Sequence, residues 1–149
     1  DAVPNGAANN DSDEKYYNKS LQELSVMAND AFKKENFGEA IKFYKLALFK
    51  ADSAKNNDNL SKIWQNLAIA YYSSENYNDA LSAIEKSLLI KKSPESIEVK
   101  AAIFEDTKEL DKAIALFEES IKSNDFPAER KTAWKKEISR ITSIKTKKK

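Results

Sequence analysis

The side chains that could perform chemistry in this chain are carboxylates, lysines, serines and tyrosines. The 149 residues include no histidine and no cysteine. The usual zinc, copper and haem ligands, the usual general base and the thiol nucleophile are therefore missing. Glu118 and Glu119 form a carboxylate pair, but adjacent residues leave a helix in different directions, and we interpret them as solvated surface. The sequence also lacks the nucleotide-binding glycine motifs and the zinc-protease motif. We therefore predict a protein that is not an enzyme and that uses no cofactor, metal ion or small-molecule substrate.

A run of basic residues at the C-terminal end offers a different kind of chemistry. Residues 128–149 carry nine Lys or Arg against two Glu, a formal charge of +7. Such a run can attract nucleic acid or an anionic membrane. The segment KTKKK at residues 145–149 has no interleaved aromatic residue to stack on bases, and lysine is also favoured near a helix C-terminus. We interpret this segment as a solvated basic tail and predict no nucleic-acid partner.

The rest of the composition favours helices. The chain has only two glycines and three prolines, with 41% hydrophobic and 33% charged residues. This suits a helical globular domain better than a sheet with glycine-rich turns. No apolar run approaches the roughly 20 residues that cross a membrane. Residues 1–13 contain almost nothing to bury and are predicted to be a disordered N-terminal tail.

The helical part of the sequence repeats itself. Ala40, Ala80 and Ala113 are equivalent, because each has a large apolar residue three places before it and four places after it, and a small residue seven places after it. The separations between these alanines are 40 and 33 residues. Two antiparallel helices approach closely only where one side chain is small, so each repeat is predicted to be a helix–turn–helix. One repeat cannot bury its apolar face alone, and the three must therefore stack.

Turn signals delimit the repeats. Asn36 and Asn76 stand where a helix needs an N-cap, and Ser93 followed by Pro94 marks another helix start. The polar segment SAKNNDN at residues 53–59 is predicted to be a connector that accounts for most of the longer first period.

The last helix has a different pattern from the repeats. Trp134, Ile138 and Ile141 form one apolar stripe, and the other faces are charged. That pattern is typical of the terminal cap of a repeat stack. The sequence therefore predicts a capping helix at residues 127–144, which ends a domain that covers residues 14–144.

This arrangement of small and large residues, at a period of about 34 residues, resembles the tetratricopeptide repeat (TPR) family. The middle repeat matches the family's pattern at these positions: Trp64, Leu67, Ala68, Tyr71, Tyr77, Ala80 and Leu88. The third repeat is a weaker match, because Lys100 stands where an apolar residue is usual. The resemblance implies an all-α fold of about seven helices. It would be a right-handed superhelical stack of helix-turn-helix repeats at residues 21–55, 61–93 and 94–126.

In the TPR family, the first helices of the repeats line a concave groove that binds other proteins. The resemblance therefore implies a non-catalytic adaptor that binds a peptide or helical segment of a partner in that groove. The residues that it places there are Asn29, Phe32 and Lys33 in the first repeat, Lys62, Gln65, Asn66, Ile69 and Tyr72 in the second, and Glu98, Ala102 and Glu105 in the third.

One subgroup of the family, the co-chaperones, holds the acidic tail of heat-shock chaperones with two asparagines and three cationic residues. Asn29 and Asn66 match the two asparagines, but the cationic places hold Ser25, Glu95 and Val99. The third repeat adds further carboxylates to its groove face, and like charges across an interface cost affinity. We therefore predict a neutral or basic partner segment over an acidic one. The two asparagines either grip its backbone or are ordinary polar surface residues.

The sequence leaves a second function open, that of a structural subunit in a larger assembly. The chain does not begin with Met, and residues 1–13 could be the tether of an exported, lipid-anchored protein that reaches a membrane only through that tether. The expected location is then exported or periplasmic, whereas a cytosolic adaptor would be cytoplasmic. Repeat proteins can also extend their stacks by self-association, so a monomer and a weak dimer are both compatible with the sequence.

Overall fold

The computed structural model describes residues 11–147, with side chains from residue 14 onward. Over that part of the chain it contains helices and no strands, which confirms the predicted all-α fold with about seven helices. A short 3-10 helix at Asp11–Tyr16 precedes α1 (Leu21–Lys33), α2 (Phe37–Ser53), α3 (Asn57–Ser73), α4 (Tyr77–Ile90), α5 (Pro94–Asp106), α6 (Leu110–Lys122) and α7 (Ala128–Lys147). The predicted disordered tail lies almost wholly outside the described residues. None of the described helices is both long and apolar enough to cross a membrane.

The helices form two compact units. The first unit ends at Ile90 and the second begins at Lys91. In the first unit α1 packs on α2, α2 on α3 and α3 on α4, and in the second unit α5 packs on α6 and α6 on α7. Helix α7 therefore packs on the second helix of the third repeat, as α3 packs on the second helix of the first repeat.

Four of the turns between helices share one backbone shape. Four turn residues have a left-handed backbone with φ between 52° and 65°: Glu35, Lys55, Glu75 and Lys108. The residue after two of them caps the next helix. The Asn36 side chain accepts a hydrogen bond from the Glu39 backbone N–H at 3.4 Å, and Asn56 accepts one from Asn59 at 3.3 Å. The predicted cap at Asn36 is thus confirmed.

The predicted connector at residues 53–59 is wrong. Helix α2 runs to Ser53 and α3 begins at Asn57, so only residues 54–56 join them. The extra length of the first period is helical instead, since α2 and α3 have 17 residues each and α1 has 13. The first turn of α3 looks like a loop in the sequence because all of its side chains up to Asn59 are exposed and polar.

Small residues occupy the centre of both units. The equivalent residues Ala40, Ala80 and Ala113 are all 0% exposed, as the close approach of helices requires. In the first unit, two buried serines also join α3 to α4. Ser87 Oγ donates to the Ser61 carbonyl at 2.8 Å, and Ser61 Oγ donates to the Ser87 carbonyl at 3.2 Å.

Helix α7 closes the second unit. Trp134 and Ile141 are buried and Ile138 is half-buried, so the predicted apolar stripe faces the interior. The helix ends at Lys147 rather than at residue 144, and part of the predicted basic tail is therefore helical. Lys145 in this part forms an ion pair with Asp111 of α6.

Candidate functional site

The site residues predicted in the first two repeats lie on α1 and α3 of the first unit. We call these eight residues the α1–α3 set: Asn29, Phe32, Lys33, Lys62, Gln65, Asn66, Ile69 and Tyr72. Asn29 and the two lysines are exposed, and the other five are half-buried. The charged members of the set are both cationic, and its half-buried members include two aromatic rings. Such a face offers hydrogen bonds and apolar contact, with a positive charge at Lys33 and Lys62.

Asn29 is fixed by a hydrogen bond within its own repeat. The hydroxyl of Tyr44, a buried residue of α2, donates to Asn29 Oδ1 at 2.5 Å. Burial raises the pKa of the Tyr44 hydroxyl above its ordinary value, so the group stays protonated and continues to donate. The amide oxygen of Asn29 therefore already accepts one of the two hydrogen bonds that it can accept, and its two N–H donors remain on an exposed side chain.

The aromatic members of the set also make contacts inside their repeats. The Phe32 ring lies 5.3 Å from the Phe37 ring, centroid to centroid. The Tyr72 ring lies 5.9 Å from the Tyr77 ring in an edge-to-face arrangement. Each pair joins the end of the first helix of a repeat to the start of the second. The rings therefore stabilise the turn, and their exposed parts remain for a partner.

The site residues predicted in the third repeat line one pocket. This pocket lies between α5 and α7 in the second unit and has a volume of about 560 Å³. Glu98, Ala102 and Glu105 all line it. Among its other lining residues are Ala101, Phe117, Arg130, Trp134, Lys136 and Glu137. The structure thus brings the three α5 residues to one concave site with an apolar floor and charged edges.

Two arginines of α7 pair with the carboxylates at the edges of this pocket. Arg130 donates to Glu95 at 3.0 Å and also to Glu98. We call this group the Arg130 triad. The hydrogen bond with Glu98 is the main reason that the pKa of Arg130 is raised.

The second arginine makes an equivalent arrangement further along the helix. Arg140 donates to Glu105 at 2.6 Å and to Glu137 at 2.7 Å, which defines the Arg140 triad. These hydrogen bonds, first to Glu105 and then to Glu137, raise the pKa of Arg140 above its ordinary value. The guanidinium therefore stays charged, and each triad contains two carboxylates and one cation.

Sequence reasoning did not nominate the two arginines. It expected an acidic groove face on α5, whereas two arginines of α7 pair with three carboxylates of that helix and Lys136 of α7 also lines the pocket. A signal was present, because Arg130 follows Glu98 by 32 residues and Arg140 follows Glu105 by 35. These separations are close to the repeat period of about 34 residues. Helix α7 therefore stands in the sequence where the first helix of a fourth repeat would be expected.

An aromatic cluster forms the floor of the pocket. The Trp134 ring lies 6.0 Å from Phe117 and 5.1 Å from Phe126, centroid to centroid. Trp134 is 1% exposed, and among the described residues its buried Nε1 has no hydrogen-bond acceptor. A buried N–H without an acceptor costs free energy, so Trp134 carries one unsatisfied donor in the interior of the second unit.

Comparison with known proteins identifies the fold that these stacked helix pairs form. Residues 63–98 match the family described as tetratricopeptide repeat. Among solved structures, the Arabidopsis OM64 TPR domain is similar with a TM-score of 0.63 and 18% sequence identity, over 82% of this chain and 96% of that chain. The chain has the tetratricopeptide repeat fold. No curated protein matches it in sequence.

The recognition of the TPR family from the middle repeat is therefore confirmed. The matched segment contains most of α3, all of α4 and the start of α5. TPR folds are in general protein–protein interaction modules and typically have no catalytic activity. In the part of the chain that the structure describes, no group of acidic residues is arranged to hold a metal ion.

Proposed function

We propose that this TPR chain is a non-catalytic adaptor that binds a peptide or helical segment of another protein along the first helices of its repeats. The observation that carries the proposal is the pocket between α5 and α7, because all three residues nominated in the third repeat line it. Its volume of about 560 Å³ lies in the range of ligand sites and is large enough for side chains of a partner.

The α1–α3 set supports the proposal in a second way. Phe32 and Tyr72 are partly exposed rings already held by a neighbouring ring. A rigid aromatic residue gives large contact area with little loss of side-chain entropy on binding. Asn29 is held in the same way, so its N–H donors are positioned before a partner arrives. Preorganised groups of this kind favour binding because less freedom is lost.

The preference for a neutral or basic segment over an acidic one is supported by the second unit alone. There, the two triads contain four carboxylates and two arginines, and with Lys136 of the pocket lining the net formal charge is −1. In the first unit the charged members of the α1–α3 set are lysines, which favour the opposite sign. The charge preference of the partner is therefore proposed for the pocket and not for α1 and α3.

The test is capture of partners by a variant in which the pocket is filled. Ala102→Trp introduces a large side chain at the half-buried wall of the pocket, and Ala115→Trp makes the same change at an exposed position of α6. Each protein is immobilised and exposed to lysate of the source organism, and the captured proteins are identified by mass spectrometry. Circular dichroism verifies that each variant is folded, and Ala102→Leu is the smaller alternative if the tryptophan unfolds the chain.

We expect the partner to be captured by the unmodified chain and by Ala115→Trp, and to be lost or much reduced with Ala102→Trp. Tyr72→Ala tests the α1–α3 set by itself and should weaken capture of a partner that binds there. Equal capture by all variants would place binding on another surface and would contradict the proposal.

A further inference from the structure

One hydrogen bond connects the interior of the first repeat to a member of the α1–α3 set. The Tyr44 hydroxyl donates to Asn29 Oδ1 at 2.5 Å. Tyr44 is only 3% exposed, so a partner cannot contact it, whereas Asn29 is exposed on α1. The oxygen and the NH2 group of a side-chain amide leave the same carbon in different directions. Because α2 holds the oxygen, the two N–H donors of Asn29 point away from the Tyr44 hydroxyl.

The corresponding residues of the other repeats show that packing does not require this bond. Asn29 lies eleven places before the repeat alanine, and Tyr44 lies four places after it. The same two places hold Ile69 and Ile84 in the second repeat, and an alanine and a phenylalanine in the third. Ile84 is 0% exposed, so an apolar side chain fills this place without a hydroxyl. The bond between Tyr44 and Asn29 is therefore an addition to a packing arrangement that is complete without it.

The bond has one effect beyond the fold, because it orders an exposed side chain. A buried hydroxyl without a partner costs free energy, and Asn29 removes that cost for Tyr44. Phenylalanine at this place would carry no such cost. What the tyrosine contributes is the fixed direction of the Asn29 amide. A side chain that is already ordered loses less freedom when a partner binds than one that rotates freely.

The ordered amide selects the kind of group that it can bind. Its free donors are two N–H groups without a net charge, and their complement is an acceptor oxygen. Each residue of a protein segment supplies such an oxygen through its main-chain carbonyl. Phe32 lies three residues further along α1 and is half-buried, and residues three apart share a helix face. An apolar side chain of the same segment can therefore contact the Phe32 ring.

We infer that Tyr44 is a positioning residue, whose hydrogen bond turns the Asn29 amide so that the first repeat binds a main-chain carbonyl oxygen of a protein segment. The inference rests on the proposed function and names the group of the partner that one member of the α1–α3 set binds. In the second repeat, the two isoleucines at the same places offer apolar contact instead.

Nuclear magnetic resonance of the full chain with a neutral peptide provides the test. The probe is N-acetyl-Leu-Ala-Leu-Ala-amide, which has main-chain carbonyls and no charge. The comparison peptide has the same sequence with a free C-terminal carboxylate. The side-chain NH2 signals of Asn29 are identified by their loss in Asn29→Ala.

Tyr44→Phe is the central variant, because it removes the hydroxyl and keeps the ring. It should fold, since the third repeat has phenylalanine at this place, and circular dichroism verifies this. The matched control is Tyr71→Phe, at a half-buried position of α3 outside the α1–α3 set.

We expect the neutral peptide to shift the Asn29 signals saturably. Tyr44→Phe should raise Kd about two- to tenfold, which corresponds to the cost of ordering one side chain on binding, and Tyr71→Phe should leave Kd unchanged. Asn29→Asp keeps an oxygen that can accept from Tyr44 but has no N–H donor, so it should also raise Kd. Binding to this variant is followed by the backbone N–H signal of Phe32. If Asn29 served only to satisfy the Tyr44 hydroxyl, neither substitution would change Kd.

Three results would overturn the inference. The first is the absence of a saturable shift of the Asn29 signals, and the second is an unchanged Kd in Tyr44→Phe. The third is a Kd for the carboxylate peptide more than about tenfold lower than for the neutral one, which would assign Asn29 to a carboxylate. Each of them leaves the proposed function standing if Ala102→Trp loses the partner. If Ala102→Trp captures the partner normally, the proposed function fails instead, whatever the peptides do.

Discussion

The first and second units use one position of the repeat for different chemistry. Eight residues before the buried alanine of each repeat stand Phe32, Tyr72 and Glu105. In the first unit the two aromatic residues contact rings of their own repeats. In the second unit Glu105 forms an ion pair with Arg140 of the helix that closes the unit. Ring contacts and an ion pair thus occupy equivalent places on the same backbone.

The difference separates positions that determine the fold from positions whose side chains can vary. Where helices approach most closely, both units have a fully buried alanine, such as Ala80 and Ala113, because no larger residue fits. The partly exposed positions accept rings or charged groups, since the backbone does not depend on their size. The buried residues are therefore informative about the fold, and the partly exposed ones are informative about binding.

The largest expected effect tests whether the second unit depends on one aromatic residue. Trp134→Ala should lower the free energy of unfolding by about 3–5 kcal/mol, because the residue is fully buried between two other rings. Trp64→Ala in the first unit should lower it less, since part of that ring is exposed and Lys86 Nζ lies over it at 4.5 Å. Urea unfolding followed by circular dichroism measures both.

Trp134→Phe is the control for this comparison. It removes the unsatisfied N–H and keeps an aromatic ring, so it should recover most of the stability lost in Trp134→Ala. If Trp64→Ala proved as damaging as Trp134→Ala, the two units would depend equally on a tryptophan and the contrast between them would disappear.

Most of the fold could be predicted from the sequence because it depends on local rules. The spacing of Ala40, Ala80 and Ala113 indicated where helices touch, and contact requires small residues. Asn36 was recognisable as a cap because asparagine is among the preferred side chains at that place. The start of α3 was missed because a left-handed residue that is not glycine, Lys55 with φ of 52°, ends α2 without a residue that signals it.

The site could be predicted less completely, because its chemistry depends on pairs of residues far apart in the chain. The sequence nominated Glu98 and Glu105 but assigned them an acidic face, because only a separation close to one repeat period indicated that arginines of α7 reach them. It left open whether Asn29 grips a partner or is an ordinary polar surface residue, and the bond from Tyr44 to its oxygen depends on how α2 packs on α1. Each pairing requires the distance between helices, which the repeat period alone does not supply.

A second prediction concerns the small residue seven places after the repeat alanine, which is Ser87 in the first unit and Ser120 in the second. Ser87 bonds across helices to the carbonyl of Ser61 at 2.8 Å, whereas Ser120 bonds to Leu116 in its own helix at 2.7 Å. Ser87→Ala should therefore destabilise by about 0.5–1.5 kcal/mol.

Ser120→Ala is the matched variant and should be nearly neutral, because the higher helix propensity of alanine offsets a bond within the helix. Urea unfolding of the two variants measures the difference. An equal loss of unfolding free energy in the two variants would mean that the hydrogen bond from Ser87 to Ser61 stabilises the protein no more than a bond within one helix.

The smallest expected effect tests the opening comparison directly. A double-mutant cycle with Glu105→Gln and Arg140→Met should give a coupling of about 0.2–1 kcal/mol, as for partly exposed ion pairs. A cycle with Phe32→Leu and Phe37→Leu should give about 0.5–1.5 kcal/mol from the ring contact. Raising the salt concentration should reduce the coupling between Glu105 and Arg140, because ions screen exposed charges. It should leave the coupling between Phe32 and Phe37 unchanged, because ring contacts carry no net charge. The same salt dependence for both couplings would mean that Phe32 and Glu105 contact their neighbours through the same kind of interaction. The contrast between the two units at this position would then disappear.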